Sequence, residues 1–365
     1  MKIQDESMSL FLLAKRIEIE ARTGQHEGSI LIVMKSKLNS LLGKLGMALV
    51  CGMLSQSAAA LGQSGDTAKV ASLIEKLSNW GRWGADDQLG TLNLITPEVR
   101  VQAAKQVREG ISVSMAHNAD KKLSVYNSTP YSHNMMATGE NPQDGVFAMD
   151  QICVAYHGFA HTHIDALCHL FNNGKMYNGV PQSTVTKSGA EKLSIIGLKH
   201  GVFARGILLD IPAMKGVDWL EPGYPVTVKD LEAFEKWAKL KIGKGDVVFL
   251  RTGRWAREQA KGPWDIGTNS AGFHYSCMEW LAERDIAFIG SDAASDVLPS
   301  GVDGVIAPVH VLALHSLGMN IFDNCDFLEV GRTCKKLKRY TFLMTANPLP
   351  VDGGTDSPLN PVATF

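Results

Sequence analysis

The chain has 365 residues, of which 45% are hydrophobic, and its formal net charge at pH 7 is −1. That length and apolar content can bury the core of one large domain or of two small ones. Acidic and basic residues are mixed along the chain without a long basic block, which argues against a nucleic-acid-binding protein and leaves small molecules as the natural partners.

The first recognisable pattern begins at Met34. A basic stretch is followed by an uncharged apolar run of about ten residues and then by small residues up to Ala60, the order of a secretory signal peptide. The apolar run is shorter than the roughly twenty residues of a membrane-spanning helix. We therefore expect three consecutive segments: an upstream extension that is not part of the fold (1–33), a signal peptide (34–60) and a mature domain (61–365). The mature protein would be periplasmic or secreted, with a cytoplasmic protein that keeps an amphipathic N-terminal helix as the alternative.

Downstream, short apolar runs alternate with amphipathic stretches. Capping residues such as Thr96, followed by Pro97, and the spacing of apolar residues predict helices; they cover 96–110, 227–240, 275–284 and 309–317. Buried or β-leaning runs predict strands at 152–156, 206–211, 246–250, 286–289, 319–322 and 340–345. The alternation favours an α/β domain with a largely buried sheet.

Two further groups of residues are candidates for either site or structural residues. Polar side chains that follow predicted strands are either site residues or caps and turns; they are Asp210, Arg251, Thr252, Ser291 and Asp292. The six cysteines are scattered without paired spacing, and we expect them to be mostly buried thiols.

The densest chemical feature is the segment from His157 to His169, which holds four of the eleven histidines and one carboxylate. Imidazole and carboxylate are the usual protein ligands of Zn²⁺ and similar ions. If the preceding strand continues, His161, His163 and Asp165 share one face. If a helix opens at Asp165, His169 overhangs the same face and is suited to proton transfer. The segment predicts a divalent metal site; a metal-free acid–base site and a structural histidine cluster are the alternatives.

Four of these residues, Thr162, His163, Asp165 and His169, match the pattern His-x-Gly-Thr-His-x-Asp-x-x-x-His of the metal-dependent cyclase-like hydrolases. That family includes bacterial kynurenine formamidase and isatin hydrolase. The resemblance extends over about residues 79 to 350. Its other similar stretches are 79–93, 175–179, 244–253, 289–292 and 310–324.

The resemblance implies a swivelling β/β/α cyclase-like fold with a single catalytic domain. It also implies that His310 and Asp323 complete the metal site, with His315 as a rival to His310. The first histidine of the family pattern falls at Phe159, whose phenyl ring cannot bind a metal. His161 or His157 would take its place, so the candidate ligands also include both of these residues.

The function implied is that of an arylformamidase-like, metal-dependent hydrolase, in which metal-activated water cleaves an amide C–N bond. The substrate would be an arylformamide such as N-formylkynurenine, as in tryptophan catabolism, or a small lactam such as isatin. His169 would move protons, and aromatic residues such as Trp80, Trp83, Phe159 and Tyr177 could line the pocket.

We expect one or two Zn²⁺ or Mn²⁺ ions per subunit, a homodimer or homotetramer, and neither a membrane span nor a nucleic-acid partner. Two other functions remain open. One is a hydrolase or dehydratase of a non-aromatic cyclic substrate, and the other is a non-catalytic periplasmic protein that binds a metal or ligand.

Overall fold

The computed structural model describes residues 65–365 apart from Pro142 and Asp144. The predicted upstream extension and signal peptide lie outside the described residues. The described part of the chain belongs to one compact unit. Its strands are β1 Ser112–Ser114, β2 Ser132–Ala137, β3 Met149–Cys153, β4 His163–Asp165, β5 Val185–Thr186, β6 Gly189–Ala190, β7 Val202–Asp210, β8 Pro225–Val226, β9 Val247–Arg251, β10 Gly272–Phe273, β11 Phe288–Ser291, β12 Ile321–Asp323, β13 Thr341–Ala346, β14 Asp356–Pro358 and β15 Val362–Thr364.

The helices lie mostly between the later strands. They are α1 Gly65–Lys76, α2 Pro97–Ala104, α3 Ile211–Lys215, α4 Val228–Ala238, α5 Arg254–Lys261, α6 Cys277–Ala282, α7 Pro308–His310 and α8 Leu328–Leu337. Helix α7 continues directly as a π-helix, Val311–Leu317. None of the helices in the described part of the chain is both long enough and apolar enough to cross a bilayer.

Nine strands form one mixed sheet in the order β1-β15-β13-β7-β9-β11-β12-β4-β14. The central strands β7, β9, β11 and β12 run parallel, whereas the strands on both flanks pair antiparallel. Side chains of the central strands are almost all buried, which is typical of a sheet covered on both faces. The predicted α/β domain with a largely buried sheet is confirmed.

Most predicted elements are present, with shifted ends. Thr96 caps α2 by accepting a hydrogen bond from the backbone N–H of Val99, as predicted. The helix ends at Ala104 rather than at Gly110: the N–H groups of residues 105–107 donate to carbonyls three residues earlier, and those of Glu109 and Gly110 donate to the carbonyl of Phe365. The five described cysteines are free thiols, and only Cys153 is exposed, so the expectation of mostly buried thiols is confirmed for these residues.

Two predictions around the histidine segment are wrong. No single strand runs from residue 152 to Asp165: β3 ends at Cys153, and Gly158 turns the chain with a φ of 106° before β4 begins. A turn, not a helix, follows Asp165. The backbone N–H of His169 donates to the carbonyl of Ala166, three residues earlier, and closes a single turn that does not continue as a helix.

Strands β14 and β15 were not predicted from the sequence. The segment that precedes and contains β14, Gly353 to Pro358, is rich in the glycine and proline that normally mark turns. In the structure it forms an edge strand beside β4, where proline is tolerated. This unpredicted strand contributes a residue to the candidate site.

Candidate functional site

The site is built on the short strand β4, which lies between β12 and β14. In the antiparallel register, His163 lies opposite Asp323 of β12, and Asp165 lies opposite Asp356 of β14. Opposed residues point to the same face of a sheet, as do residues two apart on one strand. The register therefore gathers one histidine and three carboxylates on one face, and this crowding of negative charge requires cationic partners.

Four buried side chains form what we term the inner cluster: His163, Asp165, His310 and Asp323. His163 Nε2 lies 3.3 Å from Asp165 Oδ1. His310 Nε2 lies 3.5 Å from Asp165 Oδ2 and 3.4 Å from Asp323 Oδ2. Both carboxylate oxygens of Asp165 are buried without a hydrogen-bond donor among the described residues. An ionised carboxylate left in this state is costly unless a cation binds it.

The inner cluster fits a metal ion by its distances. Two ligand atoms that each lie about 2.1 Å from a tetrahedral ion are about 3.4 Å apart. The contacts of 3.3, 3.4 and 3.5 Å in the inner cluster match this separation and exceed the usual N–H···O hydrogen-bond length. His163, Asp165 and Asp323 thus have the spacing and burial of a candidate metal site.

The charges of the inner cluster are strongly coupled. Burial alone would lower the pKa of His163, but Asp165 and Asp323 outweigh it and raise the pKa to about 9. Burial alone would raise the pKa of Asp165, but the charge of His169 and the contacts with His163 and His310 hold that pKa well below its usual value. The lowered pKa favours the ionised carboxylate of Asp165, and a bound cation would supply the positive charge that the imidazoles otherwise provide.

Two side chains outside the inner cluster orient its members. Asp296 Oδ2 lies 2.5 Å from His310 Nδ1, and the Asp296 carboxylate also accepts the backbone N–H groups of Val309 and His310. This contact at Nδ1 leaves His310 Nε2 directed at the cluster. Many metal-bound histidines are oriented in the same way by a carboxylate at their other ring nitrogen. Ser295 donates a hydrogen bond of 3.0 Å to Asp323 Oδ1, which leaves Oδ2 for the cluster.

A second group, which we term the outer cluster, consists of His157, His169 and Asp356. The Nδ1 atoms of His157 and His169 lie 2.8 and 2.9 Å from the same buried oxygen, Asp356 Oδ2. The two rings stack with centroids 5.2 Å apart, and the ring of His157 lies 6.1 Å from that of His163. Burial alone would lower the pKa of His169, but Asp165 and Asp356 raise it to about 9.

His161 lies beside these clusters with a different environment. It is buried, its Nε2 has no hydrogen-bond partner in the described structure, and burial lowers its pKa. Its ring meets that of Tyr131 edge-on at 6.2 Å, and its carbonyl lies 2.8 Å from His163 Nδ1. A neutral imidazole with a bare buried nitrogen is a suitable metal ligand.

The loop that carries His161 is held in place by hydrogen bonds from Asn324 and Arg254. Asn324 Nδ2 donates to the carbonyls of Gly158 and His161, and Asn324 Oδ1 accepts from the buried guanidinium of Arg254. Arg254 also donates to the carbonyl of Phe159. The backbone of the histidine segment is thus fixed by side chains from two distant parts of the chain.

Several candidates from the sequence lie elsewhere. The structure brings His310, and not His315, to Asp165. The ring of His315 packs edge-on against Trp80, and its carbonyl accepts the Trp80 indole N–H. Tyr177 is fully buried and donates to Asp87, so it belongs to the core.

The polar residues at strand ends also have mainly structural partners. Asp292 accepts backbone N–H groups from Thr252, Gly253 and Arg254, and so caps the start of α5. Asp210 and Arg251 form an ion pair of 2.7 Å.

Sequence reasoning missed Asp296, Asp356, Tyr131 and Tyr156 as neighbours of the histidines. The ring of Tyr156 stacks on His157 at 4.8 Å and lies 6.2 Å from His163. An acidic residue a few positions beyond a buried strand was a usable signal for Asp296, since sheet ends often carry sites. Asp356 gave no such signal, because its strand was not predicted.

Comparison with known proteins adds three findings. Residues 99–296 match the Cyclase family, described as "Putative cyclase". A crystal structure of a novel cyclase is 33% identical in sequence, covers 80% of this chain and 99% of its own, and superposes with a TM-score of 0.72. No curated protein shows significant similarity to the chain.

More distant structures share the fold. Isatin hydrolase A from Ralstonia solanacearum is 18% identical, with 72% of this chain and 93% of its own covered and a TM-score of 0.50. Isatin hydrolase A from Labrenzia aggregata is 17% identical, with 72% and 96% covered and a TM-score of 0.52. The predicted cyclase-like fold with a single domain is confirmed.

Proposed function

The chain belongs to the Cyclase family, and from this membership we propose that it is a metal-dependent hydrolase that cleaves an amide C–N bond. The substrate class is an arylformamide such as N-formylkynurenine or a small lactam such as isatin. One observation carries the proposal: the buried carboxylate of Asp165 has no hydrogen-bond donor among the described residues, and His163, His310 and Asp323 group around it at metal-ligand spacing.

The residues proposed to hold the ion are His163, Asp165, His310 and Asp323, with His161 as the further histidine from the same loop. Mixed imidazole and carboxylate ligands suit both Zn²⁺ and Mn²⁺, and one or two ions per subunit are compatible with this set. When bound, the ion supplies a Lewis acid for the carbonyl and lowers the pKa of a coordinated water.

The outer cluster explains why His157 is not included with these ligands. Its Nδ1 contacts Asp356 Oδ2 at 2.8 Å, and His157 groups with His169 and Asp356 rather than with Asp165. His157 was a candidate ligand in the sequence, and we now propose that it serves beside His169 instead.

The chain's own residues perform the other tasks. Asp296 keeps His310 in the tautomer whose Nε2 faces the cluster. In its neutral form, His169 takes a proton from the attacking water and delivers it to the leaving nitrogen. Tyr131 and Tyr156 offer aromatic surface next to the histidines, which would suit an aryl substrate.

We also propose that the protein is exported and forms a homodimer or homotetramer. The proposed mature domain, residues 61–365, contains the whole described unit. Support for self-association comes from the hairpin β2–β3, whose strands expose apolar side chains such as Met135, Met136 and Ile152. A two-stranded hairpin without a covered face is marginally stable, so a second copy is its proposed cover.

The function is tested by measuring metal content and hydrolysis on one sample. Protein purified without chelator is analysed by plasma mass spectrometry and assayed with N-formylkynurenine and isatin, before and after chelation and after re-addition of Zn²⁺ or Mn²⁺. We expect stoichiometric metal and chelator-sensitive hydrolysis of one of the two substrates. Protein that binds neither ion would contradict the metal site, and metal with no turnover of either substrate would contradict the substrate class.

A further inference from the structure

The outer cluster contains a buried carboxylate that the proposed metal site does not use. Asp356 enters from β14, opposite Asp165, and its side chain is fully buried. Oδ1 accepts the backbone N–H of Ala166 at 2.8 Å, which fixes the carboxylate relative to β4. Oδ2 receives no well-aligned hydrogen bond, and the imidazoles of His157 and His169 are the cationic or donor groups that face it among the described residues.

Distances separate this arrangement from the inner cluster. The two N···O contacts of Asp356 Oδ2, at 2.8 and 2.9 Å, lie in the range of N–H···O⁻ hydrogen bonds. They are shorter than the separation of about 3.4 Å between two ligands of a tetrahedral ion, which the inner cluster shows. Neither contact has ideal hydrogen-bond angles. The two distances nevertheless favour hydrogen bonds from both imidazole N–H groups to Asp356 Oδ2 over a metal ion bound between them.

We propose that Asp356 is the positioning residue for His169: it holds the His169 ring with Nδ1–H towards Oδ2 and leaves Nε2 as the atom that exchanges protons. The stacked ring of His157 shares the oxygen and restrains the plane of the His169 ring. This inference rests on the proposed function. The proton on the attacking water passes to Nε2 as the C–O bond forms, and it passes from Nε2 to the leaving nitrogen as the C–N bond breaks.

The substitution Asp356→Asn tests this role with little change in shape. The asparagine side chain can keep an oxygen for the N–H of Ala166. Its amide NH₂ is a donor and cannot accept a hydrogen bond from His169 Nδ1–H, so it favours the opposite tautomer, in which Nε2 carries the proton. Asp352→Asn is the matched control, because Asp352 is an exposed aspartate four residues earlier in the same segment.

The first measurement does not need a substrate. Long-range ¹H–¹⁵N spectra of ¹⁵N-histidine-labelled, Zn²⁺-treated protein report which ring nitrogen carries the proton, over a pH series that spans the titration. The variant His169→Asn identifies the His169 signals. We expect neutral His169 to be protonated at Nδ1 in the wild type and in Asp352→Asn, and to shift towards Nε2 protonation in Asp356→Asn. A tautomer unaffected by Asp356→Asn would overturn the proposal.

Metal content and kinetics complete the test. We expect Asp356→Asn to retain the metal stoichiometry of the wild type, and loss of one ion per chain would show instead that the outer cluster binds metal. With whichever substrate is turned over, kcat should fall by about 10² to 10⁴-fold with little change in KM, and Asp356→Glu should restore part of it. Because the tautomer is read without turnover, an inactive wild type would contradict the proposed function and leave the assignment of Asp356 to be judged by the spectra.

Discussion

Asp165 has the most demanding environment of any residue in the candidate site. It is buried, both of its oxygens lack hydrogen-bond donors in the described part of the chain, and a second carboxylate, Asp356, lies opposite it on the next strand. Its ionised state depends on the positive charge of nearby histidines or of a bound ion. Single substitutions of the histidines near Asp165 should show which of them are needed for metal binding and which for proton transfer.

His163 and His169 form a matched pair for this separation. His163→Ala should abolish metal binding and hydrolysis together, because it removes a nitrogen at 3.3 Å from Asp165. His169→Ala should keep the metal and reduce kcat by about 10² to 10⁴-fold, the usual contribution of a general acid–base group. Metal content by mass spectrometry, measured beside turnover, checks both. Full metal in His163→Ala would exclude it as a ligand, and unchanged turnover in His169→Ala would remove it from the mechanism.

Asp296 gives a prediction for metal affinity. Asp296→Asn keeps the size of the side chain but removes the charge that faces His310 Nδ1 at 2.5 Å. We expect metal affinity to fall by about 10 to 100-fold, as for other partners of metal-bound histidines. Competition with a chromogenic chelator measures the change. Asp303→Asn, at an exposed position of the same loop, is the control, and equal affinities in the two variants would argue against this role.

At the scale of elements, the site depends on how β4 pairs with its two neighbouring strands. Strand β4 has only three residues, so its position is fixed by the neighbours β12 and β14 rather than by its own length. A shift of the register by one residue would turn the side chains to the other face. The carboxylates of Asp323 and Asp356 would then no longer meet those of β4.

Helix α4 allows a test of local stability away from the site. Asp230 accepts hydrogen bonds from the N–H and hydroxyl of Thr227, and it lies 2.8 Å from Lys215 Nζ. Asp230→Ala should lower the free energy of unfolding by about 1 kcal/mol, as for other N-terminal caps. Urea denaturation at neutral pH measures the loss, and Glu232→Ala, on the exposed face of the same helix, is the control.

The same contribution should depend on pH. Burial alone would raise the pKa of Asp230, but the contacts with Lys215 and Thr227 outweigh it and leave the pKa below its ordinary value of 3.8. A carboxylate with a lowered folded-state pKa stabilises the fold above the unfolded-state value and loses this effect as the pH falls through the folded-state value. The difference between wild type and Asp230→Ala should therefore shrink below about pH 4, and a constant difference would contradict the assignment.

At the scale of the whole molecule, the hairpin β2–β3 stands apart from the main sheet. Met135 and Ile152 lie on the same face of the hairpin and are 50% and 58% exposed. If a second copy covers this face, the wild type should elute as a multiple of the chain mass in size-exclusion chromatography with light scattering. Replacing both residues with lysine should then shift it to the monomer, whereas Val101→Lys, an exposed apolar residue on α2, should not. A monomeric wild type would contradict the proposed oligomer.

Much of the fold follows from local patterns in the sequence. The apolar runs that become β7, β9 and β11 must be buried whatever surrounds them, and the caps at Thr96 and Thr227 fix where two helices begin. The chemistry of the histidine segment also follows from residue types alone. Its conformation does not, because the path from Gly158 to His161 is held by Asn324 and Arg254, which are remote in sequence.

The sequence by itself determined the α/β class, the family and the presence of His163 and Asp165 two residues apart on one strand. Only the tertiary structure decided which acidic residues meet them. Asp323 and Asp356 reach β4 through strand register, and Asp296 reaches His310 across a loop. Register and loop closure depend on the energy of the whole assembled sheet and not on any local stretch of residues. For that reason the division into an inner and an outer cluster became visible only in the folded chain.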